Sequence, residues 1–427
     1  MKRSLLRNLI RLGLTLIAGI VAGFLLLLAV YALPVEPMEA NVRASVPALN
    51  GEWRKEESYD QLVTGYITTQ LDNSTDAAML LAAVNKSDKP LVAQVADSER
   101  ANSSGNAFLT LMAYGENSEE FSTASIARYW HGYLVFLKPL LLFLSYLDIR
   151  MLLMLVQGAL LCSVVAGMCR RGLMSLLPAF LIGMIFITPS IAGFSLQFST
   201  ALLTSLAAMI AVLYLPKRCF NLSGCCMLFL LTGMITSYVD YLTYPVATFG
   251  LPFVICLYLY PQKTWKDELT RLVLCGICWC AGYFGMWAGK WLIAGMFGSD
   301  PWFWPNLFAK IGQRSSSSTA EIAFRYTDVL KSVFRPFCKR TYLLAAVFIC
   351  FAWLWCFVRS LRLPASRDRK ARRLMLVFVA LIPFAWFFCT KNHTYVHAFF
   401  TSRSLCVSGF AIAAFFGSFI HQTEAKN

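Results

Sequence analysis

The chain has 427 residues, 58% of them hydrophobic and 14% charged, with a mean hydropathy of +0.58. Soluble domains carry roughly 25% charged residues, so this composition excludes a water-soluble globule of the same size. The net charge of +15 does not mark a nucleic-acid binder, because residues 34–130 hold 14 acids and 7 bases and the excess Lys and Arg falls in short loops between apolar runs.

Lys2, Arg3, Arg7 and Arg11 precede an apolar run from Leu12 to Leu33. A signal peptide has a shorter apolar core, about 7–15 residues, so residues 1–33 read as a cytoplasmic N-terminus and an uncleaved first anchor. Pro34 and Pro37 are expected to end that helix. Residues 34–148 then form the first outer loop. Its apolar patch at Ala77 to Val84 predicts short helices packed on the membrane face, and the Ser/Asn/Gly-rich stretch predicts partial disorder near 97–106.

The segment 133–147 is apolar but short, and Lys138-Pro139 interrupts it. If it crossed the membrane, the basic loops at 170–171, 217–218, 263–271 and 359–373 would all face outside. The positive-inside rule therefore predicts an interfacial or re-entrant segment. Further apolar runs cover 149–168, 173–191, 198–215, 222–238, 244–260, 271–295, 341–358, 374–389 and 404–420. Together these predict an all-α polytopic membrane protein with about ten spans. Interfacial helices occupy the outer loop, and residues 149–427 form the bundle with a second outer loop at 296–340. The expected location is the cell membrane, with both termini cytoplasmic.

None of the 14 cysteines lies between residues 34 and 130, where a disulfide framework would be needed. Cys275, Cys278 and Cys280 share an apolar helix and lack the second ligand pair of a zinc site. They read as packing residues.

With this orientation the chemically able residues gather on the outer face. Asp72 and Asp76 share a helix face at four-residue spacing. They can act as general base or hold a divalent cation; alternatively Ser74 or Thr75 caps a helix and Asp76 favours its dipole. Asp240 ends an apolar helix and is followed by Tyr241, Thr243 and Tyr244, a hydrated interface acid or a cavity residue. His393 and His397 are also four apart, and Arg403 suits a phosphate by bidentate pairing. The three read as a lipid-phosphate clamp or as interfacial anchors. Arg128 and His131 flank Tyr129-Trp130, and Trp302 and Trp304 can stack on sugar rings or anchor a loop. Arg128, His131, Asp240, Tyr244 and Trp302 are the candidate substrate-cavity residues. Ser315 to Ser318 reads as a lid or linker.

This arrangement resembles the polytopic, lipid-sugar-dependent glycosyltransferases of the GT-C class. The resemblance is mainly architectural: a cytoplasmic N-terminus, a first helix and a large first outer loop. The segments Asp72 to Asp76, Arg128 to Tyr133 and Asn392 to Arg403 are similar to ones in bacterial membrane proteins grouped with that class. The resemblance implies a polyprenyl-phosphate-sugar donor and a catalytic acid in the first outer loop. Members often place that acid soon after the first helix, where this chain has Glu36 and Glu39. Asp72, with Asp76 second, takes the role here, and His393, His397 and Arg403 would hold the donor phosphate.

The expected function is therefore transfer of a sugar from a lipid-linked donor to an envelope acceptor outside the membrane. The partners are that donor and membrane lipids, with no nucleic acid. The alternatives are a lipid or oligosaccharide transporter and a non-catalytic envelope-assembly protein.

Overall fold

The computed structural model describes residues 2–51, 61–103, 106–116, 121–319, 321–360 and 367–424. The first helix, α1 (Lys2–Tyr31), has 30 residues, about 45 Å at 1.5 Å per residue. It stops three residues before Pro34. Pro37 does not act as a stop. It sits in the first turn of the next helix, α2 (Val35–Gly51), where no amide donor is required.

An insert follows before the next long helix. It contains α3 (Asn73–Ala83), α4 (Leu91–Asp97), β1 (Glu99–Asn102), α5 (Ala107–Glu116), β2 (Ser122–Ser125) and α6 (Leu134–Leu141). The two strands pair antiparallel, with Glu99 opposite Ser125 and Asn102 opposite Ser122. Order therefore replaces the expected disorder over 97–103, while residues 104–105 lie outside the described residues. The cause is electrostatic. Lys89 Nζ donates to Asp97 and to Glu99, each at 2.7 Å, and fastens the start of β1.

The eight residues of α6 rise about 12 Å, well short of roughly 30 Å of hydrocarbon. Lys138 is buried in this helix and donates to the Ala83 carbonyl at the end of α3 at 2.7 Å. A capping box at Ser145 and Asp148 then starts α7 (Tyr146–Arg170).

The remaining helices are α8 (Leu177–Ile187), α9 (Pro189–Gly193), α10 (Leu196–Tyr214), α11 (Leu222–Val239), α12 (Ala247–Leu259), α13 (Trp265–Phe297) and α14 (Phe303–Ser315). After them come α15 (Tyr326–Phe334), α16 (Arg340–Ser360), α17 (Arg367–Cys389), α18 (Lys391–Val396), α19 (Ala398–Thr401) and α20 (Leu405–Glu424). Part of the basic 359–373 loop, residues 361–366, lies outside the described residues.

Among the described residues, seven helical stretches are long and apolar enough to cross a membrane. These are Leu6–Tyr31, Tyr146–Arg170, Leu196–Tyr214, Leu222–Val239, Trp265–Phe297, Lys370–Cys389 and Ala398–Phe419. The other three predicted runs fall on the shorter apolar helices Met174–Ile187, Ala247–Leu259 and Arg340–Phe351. The chain is thus an all-α, multi-pass membrane protein.

Bundle packing is closest between α11 and α13. A Cβ added at Gly233 would lie 2.2 Å from the Trp279 carbonyl oxygen, and one at Gly282 would lie 2.2 Å from that of Leu230. Only hydrogen fits at either point, so the two backbones touch. Asp240 follows directly on the last residue of α11.

Candidate functional site

Asp72, not Ser74 or Thr75, caps α3. Its carboxylate accepts from the Thr75 amide at 2.9 Å and the Thr75 hydroxyl at 2.8 Å. The side chain is buried. Burial pushes its carboxyl up to about 7, against the pull of the Thr75 bonds; neighbouring Asp76 raises it further and Arg403 lowers it.

Asp76 sits one turn on and serves a different helix. It accepts from the Ser195 hydroxyl at 3.1 Å and from the Leu196 and Gln197 amides at 3.0 Å each. Those amides belong to the first turn of α10, whose unsatisfied donors attract an anion. The Tyr146 hydroxyl completes the set at 2.5 Å. Burial still raises the Asp76 carboxyl, with Tyr146 and Arg150 opposing. Four donors on one carboxylate make Asp76 a joint between α3, α7 and α10.

Arg403 approaches the same region from the turn just before α20 and is fully buried. Its Nε donates to Ile187 O at 3.1 Å, Nη1 to Phe399 O at 2.8 Å and Nη2 to Thr68 O at 3.2 Å. The guanidinium also lies 4.2 Å from the Phe198 ring centroid. Three carbonyls and a ring therefore occupy most of its surface. The Ile187 carbonyl reaches Arg403 where the chain turns through Thr188, which holds φ +54, a conformation rare for a β-branched residue.

Tyr244 stands between Arg403 and Asp240. It is buried, donates to the Phe198 carbonyl, and stands close enough to feel both Arg403 and Asp240. Asp240 accepts from the Thr243 amide at 2.9 Å, the Thr243 hydroxyl and the Thr200 hydroxyl at 3.3 Å. Burial pushes its carboxyl up to about 6.

Two residues on, Leu242 holds φ +63 and turns its carbonyl to His393 Nε2 at 2.9 Å. The His393 and His397 rings are 4.9 Å apart, and Phe400 packs against both. Burial pushes His397 down to about 4 and His393 well below its ordinary value, with Arg314 adding to each shift. Both imidazoles are neutral at physiological pH. Phe400 also packs on Phe198, the ring that faces Arg403, so aromatic rings stand between the histidine pair and Arg403.

His131 has φ +55 and is buried. Its Nε2 donates to Ile126 O at 2.7 Å, so Nδ1 accepts from Tyr241 at 2.9 Å and Tyr133 at 3.3 Å. Burial pushes its pKa down to about 3, so the ring is neutral, and the Ile126 carbonyl sets its tautomer. Trp302 is 67% exposed at the start of α14 and stands apart from these buried groups.

An apolar cavity adjoins the buried polar cluster, and a polar one lies beneath α14. One, of about 610 Å³, is lined almost wholly by aliphatic side chains of α6, α7, α10 and α11. Its lining includes Tyr133, Leu196, Ser199 and Thr200. The Leu196 amide is bonded to Asp76, and the Thr200 hydroxyl to Asp240. The second, of about 520 Å³, lies between Arg128 and the Asn306, Lys310 and Gln313 side of α14. Lys310 and Arg314 escaped the sequence reading, although their four-residue spacing on an amphipathic stretch marks one helix face.

The fold also supplies the second cysteine pair missing from the sequence reading. Cys225 and Cys226 of α11 lie close to Cys275 and Cys278 of α13. All four are free thiols. Among the described residues, no group of three or more His, Cys, Asp or Glu side chains is placed to hold a metal ion. Set against known proteins, the chain matches no family model, no curated protein and no solved structure.

Proposed function

We propose that this chain is a membrane glycosyltransferase that takes a sugar from a polyprenyl-phosphate donor and passes it to an envelope acceptor. One observation carries the reading. The apolar cavity of about 610 Å³ is lined in part by Leu196 and Thr200, the residues bonded to Asp76 and Asp240. A long isoprenoid tail has the chemistry for that cavity, and its head would then lie beside buried acids.

Asp72 is the proposed general base. A carboxyl near 7 is matched to proton transfer at neutral pH. Asp72 takes the proton of the acceptor hydroxyl while its oxygen attacks the anomeric carbon. The bond from that carbon to the phosphate oxygen breaks, and polyprenyl phosphate leaves. Asp76 positions Asp72 by locking α3 to α7 and α10. In this reading the seven long and three short apolar helices make ten crossings of the cell membrane. Both termini are cytoplasmic, and the insert faces outward.

The test is transfer from a synthetic polyprenyl-phosphate sugar by the purified protein in liposomes. Asp72→Asn should lower the rate by roughly 10²–10⁴-fold with the fold intact. Full activity of this variant would refute the base assignment. Lipid flipping without sugar transfer would favour the transporter instead. Lys290, a cation inside a candidate span, gives that rival no support: it is tied to the Val95 and Ala96 carbonyls at 2.6 and 2.8 Å and to Ser98 at 3.0 Å.

A further inference from the structure

Arg128, Lys310 and Arg314 form a group of cations around one cavity wall. Arg128 enters from the loop after β2, and the other two stand one turn apart on α14. A cavity of about 520 Å³ is lined by Arg128 and Lys310. A small void of about 30 Å³ is lined by all three, together with Tyr129, Trp287 and Trp291. Asp300 lines the larger cavity, and its carboxylate accepts from the Trp302 amide at 2.8 Å.

Among the described residues none of the three forms an ion pair. Lys310 Nζ donates to a neutral group, Gln313 Oε1, at 2.7 Å. The Arg314 guanidinium lies 5.4 Å from the Tyr129 ring centroid. Arg128 Nε and Arg314 Nη1 are buried and have no hydrogen-bond partner. Like charges at four-residue spacing repel, and a buried guanidinium N–H without an acceptor is costly. Burial, then Arg128 and Arg314, lower the pKa of Lys310, the mark of a cation short of a counter-charge.

The other face of α14 indicates where it lies. Trp304 and Phe308 lie one turn apart and are exposed, as on a helix lying at a membrane interface. That depth is the level of lipid headgroups.

We infer that Arg128 and Lys310, which line the larger cavity beneath α14, bind a phosphate-type oxyanion there, with Arg314 reaching it from the adjoining void. Two planar guanidinium forks and an ammonium match a tetrahedral anion with several acceptor oxygens. This site is separate from the carbonyl-filled Arg403, and the inference stands without the transferase reading.

The test uses the full-length protein in detergent and in nanodiscs. Inorganic phosphate and pyrophosphate are titrated as soluble probes, and phosphatidic acid in nanodiscs as the lipid probe, with ³¹P line broadening as the readout. Wild type should bind at least one class, and the class that binds identifies the source of the anion. Arg314→Gln and Lys310→Gln should each weaken binding by roughly tenfold or more, while Arg314→Lys retains part of it. Lys331→Gln, an exposed control, should bind as wild type does. No broadening by any probe in wild type, or equal binding by folded Arg314→Gln and Lys310→Gln, would overturn the site. Because the readout needs no sugar transfer, an inactive transferase with a working anion site remains distinguishable from failure of both.

Discussion

The Tyr146 hydroxyl donates to Asp76 at 2.5 Å, which fastens the first turn of α7 to a carboxylate of α3. The same carboxylate closes the N-terminus of α10. One side chain thus joins the insert to two helices of the bundle. A buried acceptor with four donors is a structural joint, and its loss leaves each donor without a partner.

Asp76→Asn should accordingly destabilise the protein by about 3 kcal/mol. Its amide nitrogen would face amides that need an acceptor. Ser195→Ala, which removes one bond of the same cluster, should cost about 1 kcal/mol. Thermal midpoints of the two variants in one detergent check the order. Equal midpoints would show that Asp76 does not carry the joint.

Asp72 should make stability depend on pH in a defined direction. Its ordinary value is 3.8, and burial raises it to about 7 in the folded chain. Between those values the folded state holds a proton that the unfolded chain has released, so stability falls as pH rises through the window. Above about 7 both states are ionised and the loss is complete. Asp72→Asn removes this titration. The midpoint of the variant minus that of wild type should therefore climb from about pH 4 to about pH 7 and then level off. A flat difference would mean that Asp72 is ionised throughout.

Gly282→Ala tests the contact of α11 with α13. The added methyl would sit 2.2 Å from Leu230 O, backbone that cannot swing aside. The helices must separate, at a cost of about 1–3 kcal/mol. Because α11 carries Asp240 at its end, a thermal shift should be accompanied by faster proteolysis between residues 240 and 246. Gly276→Ala on the same helix, where the nearest atom is a ring carbon of Phe249 at 3.8 Å, should leave both unchanged.

The helices were legible because hydrophobic run length is a local property. Each predicted run falls on an apolar helix, and the doubtful segment 133–147 holds only the short α6 before α7 begins. Span length was less legible: α8 and α12 are shortened where the chain breaks at Thr188, directly before Pro189, and around Pro245, before Ala247. The hairpin at 99–102 and 122–125 escaped because Glu-Arg-Ala-Asn and Ser-Thr-Ala-Ser show no apolar alternation.

The site was legible in composition but not in assignment. Asp72, Asp76, Asp240, Tyr244 and Arg403 do fall in one buried region. Yet nothing near Asp76 announces that its donors come from residues 195–197, and nothing near Arg403 announces three backbone carbonyls. A backbone oxygen has no letter in the sequence. For the same reason the group of Arg128, Lys310 and Arg314 emerges only when the loop after β2 meets α14.

Thr68 and Arg403 are joined by a hydrogen bond but lie 335 residues apart. A ribosome adding roughly 5–20 residues per second needs roughly 17–67 s to make the second after the first. During that interval Asp72 lacks the guanidinium that offsets its burial, and the turn before α3 lacks its clamp. The candidate centre is therefore completed late in synthesis, after most of the helices have entered the bilayer. A nascent chain released before residue 403 would keep its apolar anchors yet present an unfinished pocket.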